Sequence, residues 1–378
     1  MCNIYTCGGF VEDKSITKIV LTGGPCAGKT TALSKIHDYF ISKGYEVLII
    51  PETSTELIGG GVAPWTLNTV LDYQDVLIRL QLEKERQYEY ASKILKSGNK
   101  KVLIVCDRGT LDCRAYINDD EFKELMRRNN TNIIELRDNY DAVFHLVSAA
   151  KGAEVFYTLA NNTARTETVE RAREVDDKTI SAWIGHPHFR VIDNSTNFED
   201  KINRLIGEIS AVLGEPKPYE IERKYLIKMP SLDILNDSRY FNKSEIIQTY
   251  LKTNNDDEVR VRQSGVGGHY TYTKTTKKNI SGAKRLEVEK RITRDEYLNL
   301  LLEVDTTKRQ IRKTRYRFVY KNQYFEIDLY PFWKDKAIME IELKDENQII
   351  ELPKFIKVLK EVTDEKEYKN YSLASKSY

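Results

Sequence analysis

The sequence predicts an α/β domain built on a parallel sheet, followed by an α+β domain built on an antiparallel β-barrel with a charged interior. Three observations predict it. From Glu220 onward, six short patterns place charges two positions apart: Glu220/Glu222/Lys224, Arg260/Arg262, Glu287/Glu289, Lys313/Arg315, Glu326/Asp328 and Glu340/Glu342. Near the start, GGPCAGKTT (Gly23–Thr31) lies between a short apolar run and a helical stretch. After it, apolar runs of strand length alternate with longer amphipathic stretches.

The N-terminal elements follow in order. Lys18–Thr22 reads as a buried strand, and Gly23–Thr31 fits G-x-x-x-x-G-K-[ST] in the strand–loop–helix context that a P-loop requires. Backbone N–H groups of Gly23, Gly24, Pro25–Ala27 and Gly28 and of the helix start would cradle phosphates, less the one that Pro25 lacks. Lys29 would reach the β/γ-phosphates, Thr30 would ligate Mg²⁺, and Thr31 completes the motif. Further strands are predicted at Glu46–Ile50, Val102–Cys106, Ala142–Val147 and Phe189–Ile192, and a long helix within Leu67–Leu95. Ligands of such sheets sit at the carboxyl ends of strands, where Glu52, Asp107–Arg108 and Asp193–Asn194 fall. Asp107 reads either as a Walker B-type carboxylate for Mg²⁺ or as an anchor for Arg108. Glu52 reads either as a base or hydroxyl grip, or as a helix-start residue. Arg165, Arg171 and Arg173 form either a lid over the γ-phosphate or a solvated helix face.

In the C-terminal part, a β-strand sends residues i and i+2 to one face. Apolar residues sit between the charges: Val259 and Val261, Leu286 and Val288, Ile327 and Leu329, Ile341 and Leu343. The apolar face is the packed one, so the charged faces converge on a common wet space, as in a closed or nearly closed barrel. A sheet with a solvated, ion-paired outer face explains one such pattern as well as a barrel does; six in series favour the barrel. Arg317 extends the Lys313/Arg315 face as its solvent end, and Lys277, Lys278 and Lys284 read as a solvated hairpin.

The C-terminal motifs resemble a known family. EIERK at Glu220–Lys224 is similar to the E-x-E-x-K signature of the CYTH, or triphosphate tunnel metalloenzyme, superfamily. The resemblance runs on through RVR (260–262), TYTK ending at Lys274, LEVEK (286–290), RKTR (312–315), EIDLY (326–330), MEIEL (339–343) and YKNYSLA near Tyr371. It implies an eight-stranded antiparallel tunnel that binds and hydrolyses a triphosphate with Mg²⁺ or Mn²⁺. At the matching positions Glu220, Glu222, Asp328, Glu340 and Glu342 are oxygen donors suited to a hard cation. Lys224, Arg260, Arg262, Lys274, Lys313 and Arg315 would take phosphate oxygens. Glu287 and Glu289 would hold the basic residues in place.

Residues 17–195, through GGPCAGKTT, PETSTELI, CDRGTLD, HLVSAAKGAEVFYT and VIDN, resemble the AAA-type P-loop domain related to bacterial nicotinamide-riboside kinases. The two-domain combination is similar to the eukaryotic family named for an insect TRPL-channel translocation defect, and plant tunnel enzymes also join a P-loop domain to CYTH. This implies purine nucleotide binding, GTP favoured, and recognition of an anionic lipid such as phosphatidic acid. No N-K-x-D guanine motif appears in the N-terminal half, so GTP and ATP both stay open.

The expected organisation is a leader (1–16), a nucleotide domain (17–213), a stiff linker at Gly214–Pro218 and a tunnel domain (219–378). Net charge is +2, with the basic excess after Lys217; a basic tunnel accounts for it without nucleic acid. Cys2, Cys7, Cys26, Cys106 and Cys113 show no framework spacing, and no apolar run is long enough to span a membrane. A cytoplasmic protein is expected, in peripheral contact with membranes if the lipid reading holds. His186 and His188 read as a turn with one packed imidazole in preference to a metal pair. Three functional readings result: a metal-dependent triphosphatase with a P-loop NTPase or kinase domain, a GTP-binding switch whose second domain binds an anionic lipid or phosphorylated partner without turnover, or a kinase with an ancillary phosphate-binding module.

Overall fold

The computed structural model describes residues 16–95, 101–153, 168–215, 221–253, 257–281, 284–343 and 348–375. Five strands open the chain: β1 (Ile16–Gly23), β2 (Glu46–Ile50), β3 (Val102–Asp107), β4 (Ala142–Leu146) and β5 (Phe189–Ile192). They form one parallel sheet in the order β2-β3-β1-β4-β5. The helices are α1 (Lys29–Ser42), α2 (Thr53–Gly59), α3 (Val70–Lys93), α4 (Asp119–Arg128), α5 (Ile133–Arg137), α6 (Val169–Trp183) and α7 (Phe198–Val212). The strands are apolar on both faces because helices cover both. Ile19, Leu21 and Phe144 pack with Ile36 and Phe40 of α1 and Leu205 of α7. Val20 and Ile104 pack on the other side with Ile78 of α3 and Trp183 of α6. With β1 between β3 and β4, its carboxyl end is the crevice where connections diverge, and the glycine-rich loop stands there.

The C-terminal strands are β6 (Ile221–Lys228), β7 (Asn242–Tyr250), β8 (Glu258–Val266), β9 (His269–Ser281), β10 (Lys284–Ile292), β11 (Ile311–Tyr320), β12 (Gln323–Leu329), β13 (Lys336–Leu343) and β14 (Val358–Glu361). They pair antiparallel in the order β10-β9-β8-β7-β11-β12-β13-β6-β14. The expected eight strands are nine among the described residues, because β14 adds itself to β6. No ladder joins β10 to β14 among the described residues.

Residues directly opposite in an antiparallel ladder share a face. The pairs Glu222–Glu342, Lys224–Glu340, Glu340–Glu326, Asp328–Arg315, Arg317–Asn242 and Arg262–Gln248 therefore define one polar face across six strands. The alternate residues Ile227, Phe318, Phe325, Ile327, Met339 and Ile341 are fully or almost fully buried on the other face, against Leu235 of α8 (Leu232–Leu235). Val261 packs there against Tyr297 of α9 (Arg294–Leu300).

This register corrects one expectation. Lys274 pairs with Val261 and Lys290, so it lies on the face opposite Arg260 and Arg262, whose neighbours on β9 are Thr275 and Thr273. Arg317 is corrected too: it is 3% exposed, not a solvent end.

Ile327→Ala should lower the unfolding free energy of this domain by about 2–5 kcal/mol, from lost transfer energy and an uncollapsed cavity. Urea titration followed by circular dichroism measures it. Leu302→Ala, at an 86% exposed position, should stay within about 0.5 kcal/mol of the wild type.

Candidate functional site

At the end of β1 the chain turns through Cys26 (φ 56°) and Gly28 (φ 85°), both left-handed, before α1 starts at Lys29. A Cβ at Gly28 would stand 2.5 Å from the Phe198 ring. The first turn of α1 has no side-chain cap and no acidic residue, so its N–H groups are open to an anion. Thr30 and Thr31 are exposed on that turn, and the Lys29 side chain is buried. Burial, then the Arg108 charge, lowers the Lys29 pKa.

Asp176 of α6 holds the loop from below. Its Oδ1 accepts from the Gly24 N–H, the Ser148 N–H and the His145 ring, each at 3.0 Å. Lys151 Nζ stands 2.8 Å from Oδ2. Burial pushes this carboxyl up, but His145 and Lys151 outweigh it and hold the carboxyl well below its ordinary range. No local signal in the sequence marks Asp176.

Beside Lys29, Arg108 (φ 72°) donates to Glu52, to the Gly23 carbonyl at 3.2 Å and to Asp112 at 3.3 Å. Asp112, also missed by sequence reasoning, accepts from Thr22 Oγ1 at 2.8 Å and from Trp183 Nε1 at 2.6 Å. Glu52 sits at the start of α2 and accepts from Thr55 at 2.8 Å. Burial raises its pKa, yet Arg108 and Lys29 bring it to about 2, so it is a charged grip and a poor base. Since Glu52 and Asp112 anchor Arg108, Asp107 is left with a buried Oδ1 that has no hydrogen-bond partner among the described residues. An open carboxylate oxygen on a residue that feels the Lys29 charge fits a hard cation. Arg171 pairs with Glu174 at 2.8 Å on an exposed face, and Arg173 Nε donates to the Ala150 carbonyl at 2.6 Å. Arg165 lies outside the described residues.

The polar face of the second sheet is a network of alternating acids and bases. Arg315 forks onto Asp328, with Nε and Nη2 each 2.6 Å from an oxygen; Nη2 reaches Glu340 at 2.9 Å and Nη1 reaches Glu326. Lys313 donates to Asp328 at 2.5 Å, and Lys224 to Glu340 at 2.7 Å, with Glu222 at 3.1 Å. Arg317 donates to Glu326 at 2.8 Å and to Ser244 at 3.1 Å. The two lysines diverge. Burial and Arg315 push Lys313 down to about 8 despite Asp328, whereas Glu340 and Glu222 overcome burial and raise Lys224. Glu340 lies well below its ordinary value: burial raises it, and Lys224, Arg315 and Lys313 lower it more.

Further along, Glu289 accepts from Arg262 at 2.8 and 2.9 Å and from Thr275 at 3.0 Å, the holding role expected of it. Arg262 Nε and Thr273 Oγ1 are buried with no hydrogen-bond partner among the described residues. Arg260 stands 3.8 Å from Glu258. Glu342 pairs with Arg190 of the first domain. Glu220 and the Glu287 side chain lie outside the described residues. The structure thus sets Glu222, Lys224, Lys313, Arg315, Asp328, Glu340 and Glu342 on one face, with Arg260 and Arg262 farther along the same face, and leaves out Lys274.

Among the described residues, no three acidic, His or Cys side chains converge on one point. Side-chain pairing explains this: although the register sets Glu222 opposite Glu342 and Glu326 opposite Glu340, each of these carboxylates, and Asp328, meets a lysine or arginine. Glu222, Glu340 and Glu342 on adjoining strands do offer the hard oxygens that Mg²⁺ or Mn²⁺ prefers, so the donor chemistry fits. His186 is a packed imidazole: Nε2 meets the Tyr140 carbonyl at 3.0 Å, Nδ1 accepts from the His188 N–H at 3.1 Å, and burial drives its pKa down to about 3.

Glu326 makes the acid range informative. Burial raises its pKa, but Arg315 and Arg317 bring it from 4.5 to about 2. A depressed carboxylate stabilises fully above its unfolded pKa and loses that contribution as pH falls toward its folded one. Glu326→Gln should therefore flatten the fall in stability between pH 4.5 and about 2, read by urea unfolding across that window. A slope equal to that of the wild type would refute the assignment.

Models of known families match the chain in two blocks, an AAA domain over residues 18–201 and a CYTH domain over residues 218–378. Similar solved structures include the inorganic triphosphatase NE1496, at 28% identity and TM-score 0.30, covering 42% of this chain and 95% of that one. The PH1819 protein of Pyrococcus horikoshii OT3 is 23% identical with TM-score 0.27, covering 34% and 80% respectively. Comparison with curated proteins gives no match. At these TM-scores the functional reading rests on side-chain geometry and the two family matches.

Proposed function

We propose that this chain, an AAA domain joined to a CYTH domain, binds a purine nucleoside triphosphate at Gly23–Thr31 and hydrolyses a triphosphate-bearing substrate on the charged face of its second sheet. The buried series Lys224–Glu340–Arg315–Asp328–Lys313 carries the second half of the reading. Burying so many charges is costly unless each is paired, and the pairing costs less to exchange than to abolish. A triphosphate would take over donors now spent on carboxylates, the Arg315 fork and the ammonium groups of Lys224 and Lys313, and would add the open Arg262 Nε and Thr273 hydroxyl. Glu222, Glu340 and Glu342 would then be released to hold Mg²⁺ or Mn²⁺. Such a cation, when bound, neutralises phosphate charge and orients a water for in-line attack. Lys313, with its pKa near 8, is suited to protonate the departing phosphate. Closure of the strands around this face into a tunnel belongs to the same reading.

In the AAA domain, loop and first-turn N–H groups and Lys29 would hold the phosphates of GTP or ATP, and Thr30 with Asp107 would hold Mg²⁺. Glu52 and Arg108 line the acceptor side, where a small molecule or water would receive a phosphoryl group.

One observation favours a second reading, a nucleotide-dependent switch that holds an anionic lipid headgroup or phosphorylated partner without turnover. Every described carboxylate of the charged face is already ion-paired, and none forms a ready cation cage. No helix among the described residues is long and apolar enough to cross a membrane.

Phosphate release from inorganic triphosphate, ATP and GTP, with Mg²⁺ or Mn²⁺, separates the readings. Glu222→Ala/Glu340→Ala should lose about 100-fold or more of triphosphate cleavage while still binding the anion. Lys29→Ala should keep that cleavage and lose about tenfold or more of nucleotide affinity. No cleavage by the wild type, with nucleotide still bound through Lys29, would sink the hydrolase and leave the switch.

A further inference from the structure

Arg190 belongs to β5, the edge strand of the first sheet, yet its guanidinium bonds Glu342 on the charged face of the second. The surrounding contacts form a wall. The Gly185 N–H donates to the Tyr324 hydroxyl at 3.1 Å, and that hydroxyl donates to the His186 carbonyl at 3.0 Å. The Phe189 and Tyr324 rings meet edge-on at 5.7 Å. Arg137 reaches Asn242 at 3.4 Å, and Arg291 donates to the Asp138 carbonyl. The approach is close enough to require glycine: Gly185 has φ 113°, and a Cβ there would stand 2.3 Å from Asn242 Oδ1.

By register, Asn242, Arg291, Tyr324 and Glu342 are charged-face residues at one end of their strands. The segment from Gly185 to Arg190 therefore closes that end. It does so with a cation aimed at a carboxylate directly opposite Glu222. A second carboxylate, Glu208 of α7, stands 3.6 Å behind Arg190 and holds its guanidinium from the other side.

Resting on the triphosphate-site reading above, we propose that Arg190 is an anion-binding residue of that site, contributed by the other domain. It holds Glu342 away from the cation position and, when a triphosphate takes the site, turns from Glu342 to a phosphate oxygen. The carboxylate becomes available to a cation only as the anion arrives. The first domain thus makes binding of anion and cation mutually dependent.

The test compares wild type, Arg190→Ala, Arg190→Lys and Glu342→Gln as full chains. Mn²⁺ alone is titrated by loss of its free-ion paramagnetic resonance signal, and tripolyphosphate by calorimetry in chelator. Arg190→Ala should bind Mn²⁺ about three- to tenfold more tightly and tripolyphosphate about three- to tenfold more weakly. Arg190→Lys should recover the anion affinity, and Glu342→Gln should lose the Mn²⁺ response. In cleavage, Arg190→Ala should raise KM for tripolyphosphate more than it lowers kcat. Equal affinities in wild type and Arg190→Ala, or a lysine variant behaving as alanine, overturn the proposal. If Arg190→Ala melts early, the lysine and Glu342→Gln variants decide it alone. Both titrations read binding, so a wild type without hydrolysis would defeat the catalytic reading and leave this one still decided.

Discussion

Arg315 is buried with its guanidinium locked on Asp328, and much of the second domain answers to that arrangement. A buried guanidinium has no neutral form to retreat to, so each of its donors must meet an acceptor. Asp328, Glu326 and Glu340 supply them; the second oxygens of Glu326 and Glu340 draw in Arg317 and Lys224, and Lys313 shares Asp328 Oδ2 with Arg315. The charged face is thus one connected system, in which removing any member leaves another charge uncompensated. The apolar face behind it, from Ile227 through Phe325 to Ile341, makes the network tolerable by fixing every strand in register.

The first domain solves a different problem. Its phosphate loop is held less by its own turn than by Asp176, which ties it to β4 and α6. Charge beside Lys29 is divided between Glu52, which stays ionised, and Asp107, whose pKa burial raises. That division leaves Asp107 free of the arginine that would otherwise claim it.

Much of this was legible in the sequence, for identifiable reasons. The five parallel strands are short, mainly apolar runs, and each appears within a few residues of its expected place. The two-residue charge spacing landed on β6, β8, β10, β11, β12 and β13 because a pleated strand allows no other period. β7 carries Ser244, Ile246 and Gln248 on its inner face and β14 is only four residues long, so neither has that signature. Lys274 misled because the threonines around it are neutral to either face; Val261 and Tyr297 decided the matter from across the sheet. Arg317 reads as a solvent end because nothing local announces its partners Glu326 and Ser244 on the neighbouring strands. Asp112, Asp176 and Arg190 act only through partners distant in the chain.

The stretch from Trp183 to Arg190 serves two masters: its first residue completes the pocket around Asp112, and its last reaches Glu342. Substitutions tolerated by one half are therefore screened by the other, and the two cannot drift apart in evolution as beads on a string do. A half transplanted into a different architecture would carry an unfinished surface, with Tyr324 and Phe189 stripped of each other. Lineages that keep this fusion should thus inherit its seam as a unit.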